Sequence, residues 1–168
     1  MSIFYSPAPR PEDEADRQRA VDHSGFLDAG GDPTLADIVR EAAALFGTPM
    51  AAISIVDHDR QWFPARVGLD VGETSRAASF CAHAMLGGAT PMTVTDAAAD
   101  MRFAGNPLVL SGPQIRFYAG MPLIGDNRQP LGALCVLGNV PGEAPSEAQI
   151  DALTALAQRA LDRAAALR

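Results

Sequence analysis

Ile115-Arg116-Phe117-Tyr118-Ala119-Gly120-Met121-Pro122-Leu123-Ile124, then Asp126-Asn127, then Pro130-Leu131-Gly132-Ala133-Leu134-Cys135-Val136-Leu137 is the stretch that decides the fold class. In the first run Ile115, Phe117, Ala119, Met121 and Leu123 alternate with Arg116, Tyr118 and Gly120. A period of two is that of a half-buried strand. Asp-Asn is turn chemistry, and the second run is apolar and of strand length. Two strands joined by a tight turn make an antiparallel hairpin. A second hairpin reads upstream, Met50 to Val56 and Arg60 to Val67, with Asp57-His58-Asp59 between them. Met92 to Thr95 is a further short strand.

Helical signals flank these strands. Asp32 is a cap, Pro33 suits the first helical position, and Leu35, Ile38, Val39, Ala42, Leu45 and Phe46 keep helical spacing up to Gly47. Pro11-Glu12-Asp13-Glu14 opens a helix to about Asp22. Its apolar face (Ala15, Ala20, Val21) is thin, so it needs a partner surface. Ser146-x-x-Gln149 is a capping box. Beyond it Ile150, Leu153, Ala157, Ala160, Ala164 and Leu167 form a seam whose alanines let another helix approach closely. Gly68 to Ser79 reads as an irregular loop, Phe80 to Leu86 as a short helix capped by Ser79, and Asp96 to Pro113 as loops and helical turns. Hairpins with apolar helices near both ends predict an α+β fold, an antiparallel sheet with helices on one face. No GxGxxG follows a strand, no GxxxxGK[ST] is present, and no internal repeat is visible.

Composition excludes several function classes. A chain of 168 residues, 48% apolar, builds one compact domain. Alanine supplies 31 residues, which suits close packing through small side chains. Against 20 acidic residues stand 13 basic ones, all arginine and scattered, for a net charge of −7. A nucleic-acid or anionic-membrane surface needs a basic stripe, so neither partner is expected. No apolar run nears the ~20 residues that span a bilayer, and Met1–Arg10 has no apolar signal core. The expectation is a cytoplasmic protein in which Cys81 and Cys135 are reduced thiols.

The central region carries a series of motifs: Val56-Asp57-x-Asp59-Arg60-Gln61-Trp62-Phe63, Arg66-Val67-Gly68-Leu69, Ser79-Phe80-Cys81-Ala82-His83-Ala84, Asp100-x-Arg102-Phe103, Asn106-Pro107-Leu108-Val109 and Pro113-x-Ile115-Arg116-Phe117-Tyr118-Ala119-Gly120. In this order they closely resemble GAF domains, the small-molecule sensory modules of bacterial signalling proteins. The subgroup they resemble most is that of histidine kinases and diguanylate cyclases. The resemblance runs from about Gly25 to Leu167. It implies residues 1–24 as an N-terminal extension with a short helix and 25–168 as a GAF domain that includes the C-terminal helix. It also implies a sheet of five or six strands. The terminal helices cover one face, and the segment from about Gly68 to Gly112 encloses a ligand cavity on the other.

Candidate ligand-binding residues are Phe80, Cys81, His83, Arg102, Phe103, Asn106, Arg116 and Tyr118. They offer stacking surface, a thiol, an imidazole, cations and a hydroxyl, the few convergent polar groups that a small-ligand site needs. Arg102 and Arg116 have a second reading, as partners of Asp96 and Asp100. Cys81-x-His83 with Cys135 falls one ligand short of a structural zinc site, so no metal and no catalytic residue is assigned. The Asn-Lys-Phe-Asp-Glu signature of cyclic-nucleotide-regulated phosphodiesterase GAF domains is absent, and the Cys-His context differs from that of bilin-binding phytochromes. The expected function is a non-catalytic sensory or regulatory module with an unidentified small-molecule ligand, and the sequence assigns no cofactor. It is expected to form a homodimer through the terminal helices and to serve a downstream kinase or cyclase. The alternatives are an enzyme resembling free methionine-(R)-sulfoxide reductase, using Cys81 or Cys135, and a ligand-free dimerisation scaffold.

Overall fold

The computed structural model describes residues 4–168. In chain order its main elements are α1 (Glu14–Asp22), α2 (Pro33–Phe46), β1 (Met50–Asp57), β2 (Arg60–Val67), β3 (Glu73–Ser75), α3 (Phe80–Ala84), β4 (Met92–Val94), α4 (Pro107–Leu110), β5 (Phe117–Ile124), β6 (Pro130–Gly138) and α5 (Glu147–Ala166). The strands form one antiparallel sheet in the order β3-β2-β1-β6-β5-β4. Both hairpins fall where the alternation and turn residues put them.

The period of two sorts the sheet into two cores. Ala51, Ile53 and Ile55 of β1, Ala119, Met121 and Leu123 of β5, and Leu134 and Val136 of β6 face α2 and α5. Ala52, Tyr118, Ala133, Cys135 and Leu137 face the other way, under α3 and the segment around α4. The helices on the first face start and stop as the sequence indicates. Asp32 caps α2, accepting a bond from the Leu35 amide at 3.0 Å, and Gly47 ends it with φ +65°. The Ser146–Gln149 capping box is complete in both directions.

Three expectations are corrected. Gly68 to Ser79 is not wholly irregular: Thr74 aligns with Gln61 and its hydroxyl oxygen accepts from Gln61 Nε2 at 2.8 Å, so Glu73–Ser75 becomes an edge strand. β5 begins at Phe117 rather than Ile115, because the Ile115 amide turns aside to the Leu108 carbonyl at 2.8 Å. The third concerns the alanine strip of α5. Ala157, Ala160 and Ala164 are buried in the chain's own core against α2 and the sheet. A homodimer built on that strip is therefore not open to the folded chain. The outward face of α5 carries Thr154, Ala155, Gln158, Asp162, Ala165 and Ala166.

The thin apolar face of α1 is explained by a buried cation. Arg17 is fully buried and donates to the Val56 carbonyl at 2.8 Å, the Pro130 carbonyl at 3.2 Å and the Glu14 carboxylate at 2.9 and 3.0 Å. Arg76 reaches the same carboxylate at 2.5 and 3.2 Å. Burial would raise the Glu14 pKa, but the two guanidiniums outweigh it and lower it to about 2. The N-terminal helix is thus fastened to the ends of β1 and β6 by polar contacts.

Candidate functional site

The two faces differ in how they are closed. Opposite α2 and α5, the segment from β3 to α4 leaves a cavity of about 70 Å³ over β2, β5 and β6. Its floor is Phe63, Tyr118, Cys135 and Leu137, and its roof is Phe80 and Cys81 of α3 with Leu108 of α4. Exposed Val71 and the Gly112-Pro113 turn also line it. Its shell is mostly apolar, with Gln61, Thr74, the Tyr118 hydroxyl and the two thiols as its polar part.

Gln61, Cys81 and Tyr118 are each held by a side-chain partner. Ser79 caps α3, accepting from the Ala82 amide at 2.9 Å, and its hydroxyl donates to Gln61 Oε1 at 2.6 Å. Ser54, buried in β1, donates to the same oxygen at 2.6 Å. This fixes α3 to the sheet through the Gln61 side chain. Tyr118 Oη lies 3.0 Å from Cys81 Sγ. Gly120, two residues on, makes room for that ring: a Cβ there would fall 2.2 Å from the Tyr118 oxygen. Burial, then the nearby Cys81, hold the Tyr118 pKa well above its ordinary value, so the hydroxyl keeps its proton. Among the described residues no buried side-chain nitrogen or oxygen lacks a partner.

Of the eight sequence candidates, Phe80, Cys81 and Tyr118 line the cavity. Phe103 stacks on the far side of Phe80, with ring centroids 4.0 Å apart and planes 9° off parallel. His83 points away from the cavity, its Nε2 bonded to the Ser6 carbonyl at 2.7 Å, and burial lowers its pKa so that it stays neutral. Arg102 forms a two-pronged pair with Asp100 at 2.8 and 3.1 Å and lies over the Phe103 ring. Arg116 donates to the carbonyls of Val109 and Ile115, at 2.9 and 3.0 Å. Asn106 caps α4 and ties it to the Ala78 carbonyl at 3.0 Å. The last four hold the roof together around the three that touch the space.

Ser54, Gln61 and Thr74 belong to the site and were not singled out from the sequence. Ser54 was readable: it is the one hydroxyl inside the apolar run Ala51–Val56, where a strand buried on both faces has no use for it unless bonded. Cys81, His83 and Cys135 do not converge on a metal position, since the imidazole is turned to Ser6. Asp22, Asp57 and His58 do bring ligand atoms within 4.8 Å of one another. Gln18 bonds both of those carboxylates, and Arg60 takes the remaining Asp57 oxygen at 2.9 Å. A wider, open hollow of about 600 Å³ lies between the end of α2 and the 139–146 loop, and none of the sequence candidates lines it.

Comparison with known proteins settles the family. The GAF domain family model matches residues 31–161. The chain belongs to the GAF domain family. A relative from Pseudomonas aeruginosa, named cyclic di-GMP phosphodiesterase PA2567, is 44% identical over 160 residues. That match covers 95% of this chain and 27% of the relative, so the chain spans about a quarter of that protein's length. Among solved structures, the GAF domain of an Acinetobacter phosphoenolpyruvate-protein phosphotransferase aligns with a TM-score of 0.61 at 19% identity, covering 93% of this chain and 94% of that one. A free methionine-R-sulfoxide reductase from Neisseria meningitidis, solved with its substrate, aligns with a TM-score of 0.58 at 19% identity, covering 99% and 97%. At that identity these two share the GAF fold with the chain. No helix among the described residues is long and apolar enough to cross a membrane.

Proposed function

We propose that this GAF domain is a non-catalytic input module of cytoplasmic bacterial signalling, in which the cavity under α3 and α4 reads a small molecule. The observation that carries the reading is the cavity itself, an apolar space with a few polar groups on the sheet face opposite the packed helices. Its volume sets the ligand class. Drug-sized ligands occupy about 300–1,000 Å³, and this space holds on the order of two water molecules by their share of liquid volume. A small, uncharged molecule fits it, because no charged side chain lines it. A nucleotide fits only if the roof moves.

The similarity to part of a protein named a cyclic di-GMP phosphodiesterase supports a place in cyclic-dinucleotide signalling, with the output delivered to an enzyme domain or a second copy of the chain. The outward face of α5 is the surface left for a second copy, since its inner face is used.

A thermal-shift screen of small neutral molecules tests this. A ligand at 100 times its Kd stabilises by about 2.7 kcal/mol, roughly 5–11 °C for a domain of this size. The expected hit is lost when Leu137→Trp fills the cavity. A hit that survives that change binds elsewhere and contradicts the reading. The same preparation, assayed with free methionine sulfoxide and a thiol reductant, is expected to show no turnover. Thiol-dependent turnover would establish the reductase alternative instead.

A further inference from the structure

We propose that Cys81 and Cys135 are a redox pair that a small hydroperoxide entering the cavity closes to a disulfide. The proposal rests on the cavity being the input site, and it names the chemistry that site would read.

Two elements distant in sequence bring the thiols to the same cavity, Cys81 from its roof and Cys135 from its floor. Cys81 sits on α3 and Cys135 in the middle of β6, both 2% exposed and both lining the cavity. They are the only cysteines of the chain. The sheet is cleared around Cys135. Its cross-strand partners are Ala52 on β1 and Gly120 on β5, and Ala133 precedes it on the same face. Tyr118, on the same face, places its hydroxyl 3.0 Å from Cys81 Sγ. A packing cysteine needs none of this, and its neighbours would be the ordinary aliphatic residues of a strand core.

The two thiols are not equivalent. Burial raises the Cys81 pKa, but hydrogen bonds from Cys135 and Tyr118 outweigh it and hold the group below its ordinary value. The bond to Cys81 and then burial push Cys135 well above its own. Of the two, Cys81 is the thiol that gives up its proton more readily. The thiolate is the form that attacks peroxides.

The reaction balances in two steps. The Cys81 thiolate attacks one oxygen of ROOH; an S–O bond forms, the O–O bond breaks, and the leaving alkoxide takes a proton to become ROH. This leaves Cys81 as the sulfenic acid. The Cys135 sulfur then attacks Cys81 Sγ; the S–S bond forms, the S–O bond breaks, and hydroxide leaves as water with the Cys135 proton. In sum the dithiol gives two electrons to the peroxide, yielding the disulfide, ROH and water. A dithiol reductant reverses the change. The closed bond draws α3 onto β6 and takes the sulfur away from Tyr118, a change at the roof of the cavity.

The test treats the reduced chain with stoichiometric hydrogen peroxide, then alkylates under denaturing conditions and measures mass. The expected result is a species lighter by two hydrogens, with both thiols unreactive, a peptide joining Cys81 to Cys135, and full reversal by dithiothreitol. In Cys135→Ser the expected product is a dimedone-reactive sulfenic acid at Cys81; in Cys81→Ser, Cys135 stays alkylatable at the same dose. Two alkylatable thiols after treatment of the wild type, or disulfides between chains in place of the internal one, would overturn the proposal without reference to either variant. A ligand-induced thermal shift under reducing conditions, with peroxide-inert thiols, would overturn this proposal and leave the sensory reading standing.

Discussion

The two faces of the sheet are built from the same strands and closed by opposite means. Under α2 and α5 the strands present Ala, Ile, Leu, Met and Val to two long helices, and these side chains form one buried cluster. On the other face short helices and turns are tied down by side-chain bonds from Ser79, Gln61, Asn106 and Arg116, and a cavity remains among them. Regular helices meet a sheet with whole apolar stripes and leave few voids. A roof of short pieces has no such stripe, so polar bonds fix its shape. The lesson is a division of labour: one face supplies stability, the other holds the space that can be read.

The largest expected effect breaks the helix-covered face. Ala160→Glu places a carboxylate where the side chain is fully buried against α2 and the sheet. An unpaired buried charge costs several kcal/mol, so the chain is expected to lose its cooperative unfolding transition. A folded, merely dissociated protein in sedimentation and circular dichroism would contradict the inward orientation of α5.

A matched pair sharpens the comparison. Leu153→Ala, in the filled core, is expected to cost about 3–5 kcal/mol in urea unfolding. Leu137→Ala lines the cavity, where the side chain already lacks neighbours on one side, and is expected to cost about 2–3 kcal/mol. Equal costs would mean that the two faces are equally packed in solution.

The ionised clamp on α1, at the sheet end where the faces meet, is read by acid. The Arg76 and Arg17 guanidiniums outweigh burial and lower the folded pKa of Glu14 from the ordinary 4.5 to about 2. A depressed carboxylate pKa gives stability that is present above its unfolded value and is lost as pH falls through the folded one. Stability is therefore expected to drop between about pH 4.5 and 2, and Glu14→Gln is expected to flatten that limb of the curve while lowering stability at neutral pH. A wild-type curve that Glu14→Gln leaves unchanged would remove the clamp.

The smallest effect falls on the roof's outer layer. His83→Ala removes one half-exposed bond to Ser6 and is expected to cost under about 1 kcal/mol. Amide exchange of residues 4–10 should quicken while the α2 amides stay unchanged.

The sequence was most legible where a period repeats. The alternation of Ile115–Leu123, the Asp32-Pro33 start and Gly47 stop of α2, and the Ser146 capping box each gave a correct element. The α5 seam was legible as a seam, but its partner was not: spacing shows that Ala157, Ala160 and Ala164 share a face and is silent on which surface meets it. β3 escaped because three residues carry no period; only the pairing of Thr74 with Gln61 makes them a strand. At the site, Phe80, Cys81 and Tyr118 were readable as chemistry-bearing residues in specific motifs. The bonds of Ser54, Gln61 and Thr74 were not, since they depend on which strands become neighbours. The turning of His83 and Arg102 to Ser6 and Asp100 depends likewise on how the roof closes.

Xenon binding to the reduced chain, followed by methyl resonances, tests the central claim most directly, because xenon enters apolar cavities without needing a specific chemistry. The expected result is shifts at Leu69, Val71, Leu108, Ile115 and Leu137, with none at Leu35, Ile38, Leu153 and Leu156. Shifts spread equally over both sets, or absent from the first, would contradict a cavity confined to the loop-covered face.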